Sequence, residues 1–343
     1  MRNLSMPIFM IGIQRSGSNL LRLMLNELPE IAAPHPPHIL QRMMPLMPHY
    51  GDLGKDKAFA LLVDDVCRLV ELNPVPWEGV VLKRDDVAAR CRKRSLVAVF
   101  GAVYDVMAEA WGAKTWCCKS LANIYYLPEI EDYFTEAKYI YLYRDGRDVA
   151  VSFSKAVVGE KHFYHIAKEW NEVQQLALRF RKKIPANRFF NLSYEELTAE
   201  PEKTARSLCS FLGVAYRPAM LEFYKSGEAK RAASASNLWE NVTNPVMKDN
   251  SRKFLKEARE SDIRIFESVA GDSMDSLGYE RVFARKGEEL RFGPDDIRGF
   301  DAENKRLKDE IRRDIDPADL ERRGRQEGII KEIMARSRTA GSP

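Results

Sequence analysis

Apolar residues along the chain gather in short dense blocks, and the stretches between them carry helical spacing. The first block, Pro7 to Ile13, is apolar without alternation, the mark of a strand buried on both faces. A Gly/Ser turn follows at once, and then Leu20 to Leu25, rich in strong helix formers. Strand, small-residue turn and helix form the opening of an α/β domain. Prolines between Pro34 and Pro37 break any helix, and Pro45, Pro48 and Gly51 prolong the irregular stretch. Apolar spacing predicts helices over Lys57 to Leu72 and Ser95 to Trp111. Thr115 to Cys118 reads as a short strand, followed by a helix that ends near Phe134. Lys138 to Tyr143 is aromatic and β-branched throughout and is the clearest second strand, with Arg188 to Leu192 a third. Helices fill the gaps, Phe163 to Arg181 being the longest. This alternation predicts an α/β fold: a mostly parallel central sheet flanked by helices on both faces.

Near Gly287 the texture changes. The sequence Arg291 to Pro294 punctuates, and charge then dominates through Arg338. Leu307, Ile311 and Ile315 leave a thin apolar stripe, and Asp316-Pro317 has the form of a helix start. The expected division is a main domain over 1–286 and a charged helical C-terminal extension over 287–343. Its two helices pack on the body or on a second copy in a homo-oligomer; a solvated, frayed tail is the equal alternative.

Composition narrows the class. A chain of 343 residues, 45% hydrophobic and 30% charged, has mass for one large domain or two modest ones. No apolar run approaches the roughly 20 residues that cross a bilayer, and the first apolar run ends in Gln14-Arg15-Ser16-Gly17, unlike a signal peptide. The formal net charge of +4 comes from 54 basic and 50 acidic residues, a balance that argues against a nucleic-acid partner and leaves room for a local basic pocket. Five cysteines, Cys117 and Cys118 adjacent and Cys67, Cys91 and Cys209 scattered, lack metal-type spacing and fit a reduced, cytoplasmic compartment.

The turn after the first strand carries chemistry. Gly12-Ile13-Gln14-Arg15-Ser16-Gly17 has the glycine spacing of a Walker A phosphate loop. Such a loop turns successive backbone N–H groups, and the end of a helix dipole, toward an oxyanion. A nucleotide triphosphatase follows the second glycine with Lys and then Ser or Thr, for the terminal phosphates and Mg²⁺; here those positions are Ser18 and Asn19. The cation has moved into the loop as Arg15. An anion can be cradled, but a metal-bridged triphosphate is poorly served.

A second anion site is expected where the second strand ends, at Arg144-Asp145-Gly146-Arg147-Asp148-Val149-Ala150-Val151-Ser152. Ligands of open α/β sheets bind beyond the carboxyl ends of strands, so Arg144 leaves its strand on the same rim as Arg15. Ser152 falls about two turns into the next helix, and an Arg fork with a hydroxyl makes a phosphate clamp.

Together these two motifs resemble those of the PAPS-dependent sulfotransferase superfamily. Gln14 to Leu21 looks like its 5′-phosphosulfate loop, through Gln14, Arg15, Ser16, Gly17, Ser18 and Asn19, and Arg144 to Ser152 like its 3′-phosphate motif. Weaker fragments agree in order: Lys119-Ser120, Tyr194 to Leu197 with Glu200-Pro201, Phe211 to Gly213, the Trp239 to Lys253 loop, and Gly278-Tyr279. The resemblance covers about residues 6 to 283. Departures are Ser18-Asn19 for the commoner Thr-Thr, Arg15 for a lysine, and Asn250-Ser-Arg-Lys-Phe254 in the late loop.

The resemblance implies a P-loop-like nucleotide-binding architecture and transfer of a sulfuryl group from 3′-phosphoadenosine-5′-phosphosulfate (PAPS) to an acceptor hydroxyl or amine, releasing adenosine 3′,5′-bisphosphate (PAP), with no metal required. Arg15 and the loop would hold the phosphosulfate, Lys119 would meet the bridging oxygen, and Tyr194 would lie near the adenine. Arg144, Ser152 and Asn250, with Arg252 or Lys253, would take the 3′-phosphate end. A base for the acceptor proton is expected at His38 or His35, held in a proline-stiffened segment. The acceptor is a small molecule, glycan or lipid. Rival readings are a P-loop kinase and a catalytically silent PAP-binding module.

Overall fold

A computed structural model of the chain describes residues 6–235, 237–248, 250–313 and 317–339. Five strands form one sheet: β1 (Ile8–Gly12), β2 (Ile31–Ala32), β3 (Thr115–Cys118), β4 (Lys138–Tyr143) and β5 (Phe189–Ser193). Their order is β2-β3-β1-β4-β5 and every pairing is parallel. The register sets Ile8 to Gly12 against Lys138 to Leu142, and Tyr139 to Tyr143 against Phe189 to Ser193. β1 therefore lies between β3 and β4, and the loops leaving β1 and β4 emerge side by side at the carboxyl edge.

Alternation along the strands divides the core in two. Phe9, Ile11, Trp116, Cys118, Tyr139 and Tyr141 face one helical layer, whereas Ile8, Met10, Cys117, Ile140 and Leu142 face the other. That two-sided burial explains why these strands read as unbroken apolar runs. The first layer holds an aromatic cluster, with Phe9 edge-on to Trp116 at 5.4 Å and Phe100 against Tyr104 at 4.9 Å.

Two features depart from the sequence reading. β2 is two residues long, too short to carry a period. The stretch expected to be irregular contains the short helix Ile39–Met43 and a 3₁₀ helix Met44–His49. Pro45 stands in the first turn of the latter, where its missing N–H costs nothing; Met43 is buried and Met44 and Met47 pack beside it.

Beyond the main body, two helices span Pro294–Arg313 and Pro317–Thr339, both longer than Phe163–Arg181. The first docks on the segment around His162. Phe300 stacks on the His162 ring at 4.6 Å, and Asn304 Oδ1 accepts the backbone N–H groups of Lys161 (2.8 Å) and His162 (3.0 Å). Leu307 and Ile311 are half-buried; Ile315 and Asp316 lie outside the described residues. The second helix packs on Met44–His49 and the helix Asp56–Glu71. Ile329 and Ile333 join the core, and Arg336 pairs with the buried Asp65. Among the described residues no helix is long and apolar enough to cross a membrane, and all five cysteines are free thiols.

Candidate active site

At the end of β1 the backbone turns through conformations that favour glycine. Gly12 has φ +142°, and a Cβ there would stand 2.1 Å from the Leu142 carbonyl oxygen, so only glycine lets β1 finish this close to β4. Gly17, at φ +85°, caps the helix Ser18–Asn26; a Cβ on it would fall 2.4 Å from Cδ2 of Tyr194. Arg15 itself takes a positive φ of 69°. No side chain caps this helix, so its first N–H groups remain for a ligand. Ser16 is buried with no hydrogen-bond partner for its hydroxyl.

β4 delivers the second motif. Asp145 caps the helix Gly146–Ser154 by accepting the Arg147 N–H, and Ser152 is carried round to meet the first loop. Arg15 Nε donates to Ser152 Oγ at 2.9 Å, while Arg144 Nη1 donates to the Arg15 carbonyl at 3.1 Å. Arg144 Nη2 reaches the Asn250 carbonyl at 2.7 Å, and the guanidinium lies 4.3 Å over the Tyr194 ring. Its Nε is buried without a partner. Burial and the neighbouring Arg144 press the Arg15 guanidinium below its usual pKa. Two arginines held this close call for an anion between them.

The late loop is tied to the same place. Asn250 Nδ2 donates to the Tyr194 hydroxyl at 2.6 Å, and Asp148 accepts the backbone N–H groups of Arg252 (2.7 Å) and Phe254 (3.0 Å). Arg147 points inward, to Asp145 at 2.7 Å and to the buried Glu267 at 2.6 Å. Thus Arg144 serves the site and Arg147 the scaffold.

On the β3 side, Lys119 is buried and its Nζ donates to Asn19 Oδ1 at 3.0 Å. Burial, with Arg22 and Arg15 nearby, pushes its pKa down to about 7. Next to it, Ser120 Oγ lies 3.2 Å from Nδ1 of His38, which takes a left-handed φ of 57° before the helix Ile39–Met43. His35 is buried, with its ring 4.5 Å from that of Trp239; burial first, then Lys119 and Arg22, hold its pKa well below the usual imidazole value.

A cavity of about 560 Å³ opens between these elements. Arg15, Gly17, Ser18 and Asn19 line it from the first motif, Arg144 and Ser152 from the second, and Tyr194, Asn250 and Lys253 from later segments. Gln14 is exposed and outside it. Of the late-loop pair, Lys253 lines the cavity, while the Arg252 side chain is exposed and only its N–H is engaged. Lys119 and His38 stand behind the Asn19 end, and His35 behind Trp239. The sequence reading did not single out Lys155, Glu257 or Arg322, which also line the cavity. Lys155, which caps the helix three residues after Ser152, follows from the helical spacing expected at the second motif; the other two lie far along the chain with no such signal. His162 and His165 help dock the extension, His165 Nε2 lying 3.1 Å from Asp301. No cluster of three or more metal-ligating side chains occurs among the described residues.

The description "Sulfotransferase family" matches residues 7–218, which include both anion motifs, β1 to β5 and Lys119. The chain belongs to the sulfotransferase family. A protein-tyrosine sulfotransferase of Drosophila melanogaster is 22% identical over 81% of this chain and 52% of its own length. Protein-tyrosine sulfotransferase 1 of Danio rerio is 25% identical over 81% of this chain and 74% of its own. The chain thus spans about half the length of the Drosophila relative. Two solved structures share the fold: the sulfotransferase domain from the Synechococcus PCC 7002 olefin synthase has a TM-score of 0.59 at 19% identity, covering 82% of this chain and 97% of that one. The sulfotransferase domain from the curacin biosynthetic pathway has a TM-score of 0.58 at 22% identity, covering 81% and 99%. The α/β architecture is that of the sulfotransferase family.

Proposed function

We propose that this protein moves a sulfuryl group from PAPS to an acceptor hydroxyl or amine and releases PAP. The observation that carries the reading is the joined pair of anion grips: Arg15 bonded to Ser152, with Arg144 bonded to the loop carbonyl, at one cavity. The residues fit a doubly anionic nucleotide. Ser16 Oγ and Arg144 Nε are buried donors without partners, and two crowded arginines are relieved by negative charge. The loop N–H groups and Arg15 hold the 5′ end; Arg144, Ser152 and Lys253 hold the 3′-phosphate.

In-line transfer needs positioning and neutralisation of charge on the leaving oxygen. As the acceptor oxygen bonds to sulfur, the bond from sulfur to the bridging oxygen breaks and its electron pair stays on PAP. Lys119, protonated once an anion is beside it, stabilises that oxygen. The acceptor proton passes to a histidine. His38 is favoured, because Ser120 orients its ring, whereas burial keeps His35 neutral without a hydrogen-bond partner on either nitrogen. The main domain is 1–286, and the extension a unit packed upon it.

Incubation with radiolabelled PAPS and extract of the source organism, with a tyrosine peptide as a further acceptor because of the named relatives, tests the reading. Label transfer by the wild type that is lost in Lys119→Ala is expected. No transfer to any acceptor, together with no PAP binding by native protein, overturns it.

A further inference from the structure

The matched family region ends at residue 218, yet the cavity is lined by a residue more than one hundred positions later, Arg322. The helix that carries it, Pro317–Thr339, is fixed to the body along one face. Gln326 is buried and its Nε2 donates to the Leu69 carbonyl at 2.8 Å. Ile329 and Ile333 are 3% and 1% exposed, and Arg336 Nη2 meets Asp65 Oδ1 at 3.0 Å. Arg322, Gln326, Ile329, Ile333 and Arg336 follow at alternating spacings of four and three, which puts them in one row. Arg322 is the first residue of that row and its only member lining the cavity. Its backbone is therefore positioned by the packing of the next three members.

Charge at the cavity wall gives this residue a purpose. The lining contains Arg15, Arg144, Lys155, Lys253 and Arg322, against the carboxylates of Asp148 and Glu257. Asp148 is spent on two backbone N–H groups and on Arg144, 3.7 Å away, and Glu257 on Lys155 at 2.7 Å. With Asp148 and Glu257 so engaged, Arg15 and Lys253 alone give the wall an excess of positive charge that a singly charged ligand does not match. Helix Pro294–Arg313 supports the same wall from behind. Asn304 holds the backbone at Lys161 and His162, and Lys161 Nζ donates to the carbonyls of Phe153 (3.1 Å) and Val158 (2.7 Å), closing the end of the helix that carries Ser152.

We propose that Arg322 is a nucleotide-binding residue: the C-terminal extension completes the cavity by bringing a guanidinium to a phosphate of the bound carrier. The proposal rests on the PAPS-dependent reading above and adds to it a ligand from outside the family region. Both phosphate groups of PAP share the chemistry that Arg322 recognises, so the test separates them.

Calorimetric titration of the full chain with PAP and with 5′-AMP, which lacks the 3′-phosphate, is run on the wild type, Arg322→Ala and Arg322→Lys. Loss of one charge-assisted contact predicts roughly tenfold weaker PAP binding in Arg322→Ala, with a smaller loss in Arg322→Lys, which keeps the charge but not the fork. A loss for PAP but not for AMP assigns the contact to the 3′-phosphate; equal losses assign it to the 5′ end. Thermal melting of each variant accompanies the titration, and an unchanged melting temperature is expected. PAP should also slow tryptic cleavage within 321–336 in the wild type and not in Arg322→Ala. Wild-type PAP affinity in a stable Arg322→Ala overturns the assignment while leaving the sulfotransferase reading intact. Failure of the wild type to bind PAP overturns that reading, and the assignment with it.

Discussion

A lysine enclosed with two arginines gives up its charge near neutrality, and Lys119 is in that position, with its pKa pushed down to about 7. Between that value and the ordinary lysine value of about 10.4, the unfolded chain binds more protons than the native one. Its contribution to stability therefore improves as pH rises through this window, and the full penalty of burying the charge applies below it. A bound phosphate reverses the balance. Calorimetry in two buffers of different ionisation enthalpy should show proton uptake on PAP binding at pH 8, little at pH 6, and none in Lys119→Met; wild-type binding at pH 8 without uptake contradicts the placement of Lys119 beside the anion. Gly17→Ala meets both a positive φ and the Tyr194 ring, a strain of about 1–3 kcal/mol, and should weaken PAP binding more than it lowers the melting temperature. Arg15, Arg144 and Ser152 were readable in the sequence because each follows a recognisable strand at a fixed offset. Lys253 was readable only as half of a pair, since one residue's difference in a loop decides which side chain faces the cavity.

At the scale of elements, the strands were legible where both faces are buried, and β3 and β4 end where the apolar pattern ends. β2 escaped because a two-residue strand is made by its neighbour. The structural role of the second motif was also hidden. Arg144 and Arg147 have the same chemistry in the sequence, but a helical turn sends Arg147 to Glu267. That one carboxylate also accepts the N–H groups of Val282 (2.9 Å), Phe283 (2.7 Å) and Ala284 (2.8 Å), fastening the end of the main body to the helix that bears Ser152. Glu267→Ala leaves Arg147 its Asp145 partner but removes the acceptor of its Nη1 and of three backbone N–H groups, and should cost about 3–5 kcal/mol, read by denaturant unfolding. A cost under about 1 kcal/mol would mean the pair is not formed in solution.

For the molecule as a whole, the extension is the part that composition described least well. The 27 charged residues of 287–343 concealed a packing face because its apolar members are few: in the last helix, Ile329 and Ile333 with the buried amide of Gln326. Ile333→Ala should destabilise the protein by about 2–4 kcal/mol. A free tail predicts no change in the melting curve, so the measurement separates the two arrangements that the sequence left open.

The close seam at Gly12 has a practical outcome for anyone altering this protein. Nature placed a position with no room for even a methyl group between two grips some 130 residues apart, so a substitution there spreads the sheet and dismantles both holds together. Libraries that vary Gln14, exposed and two places along, should return many working clones, while those that vary Gly12 should return almost none.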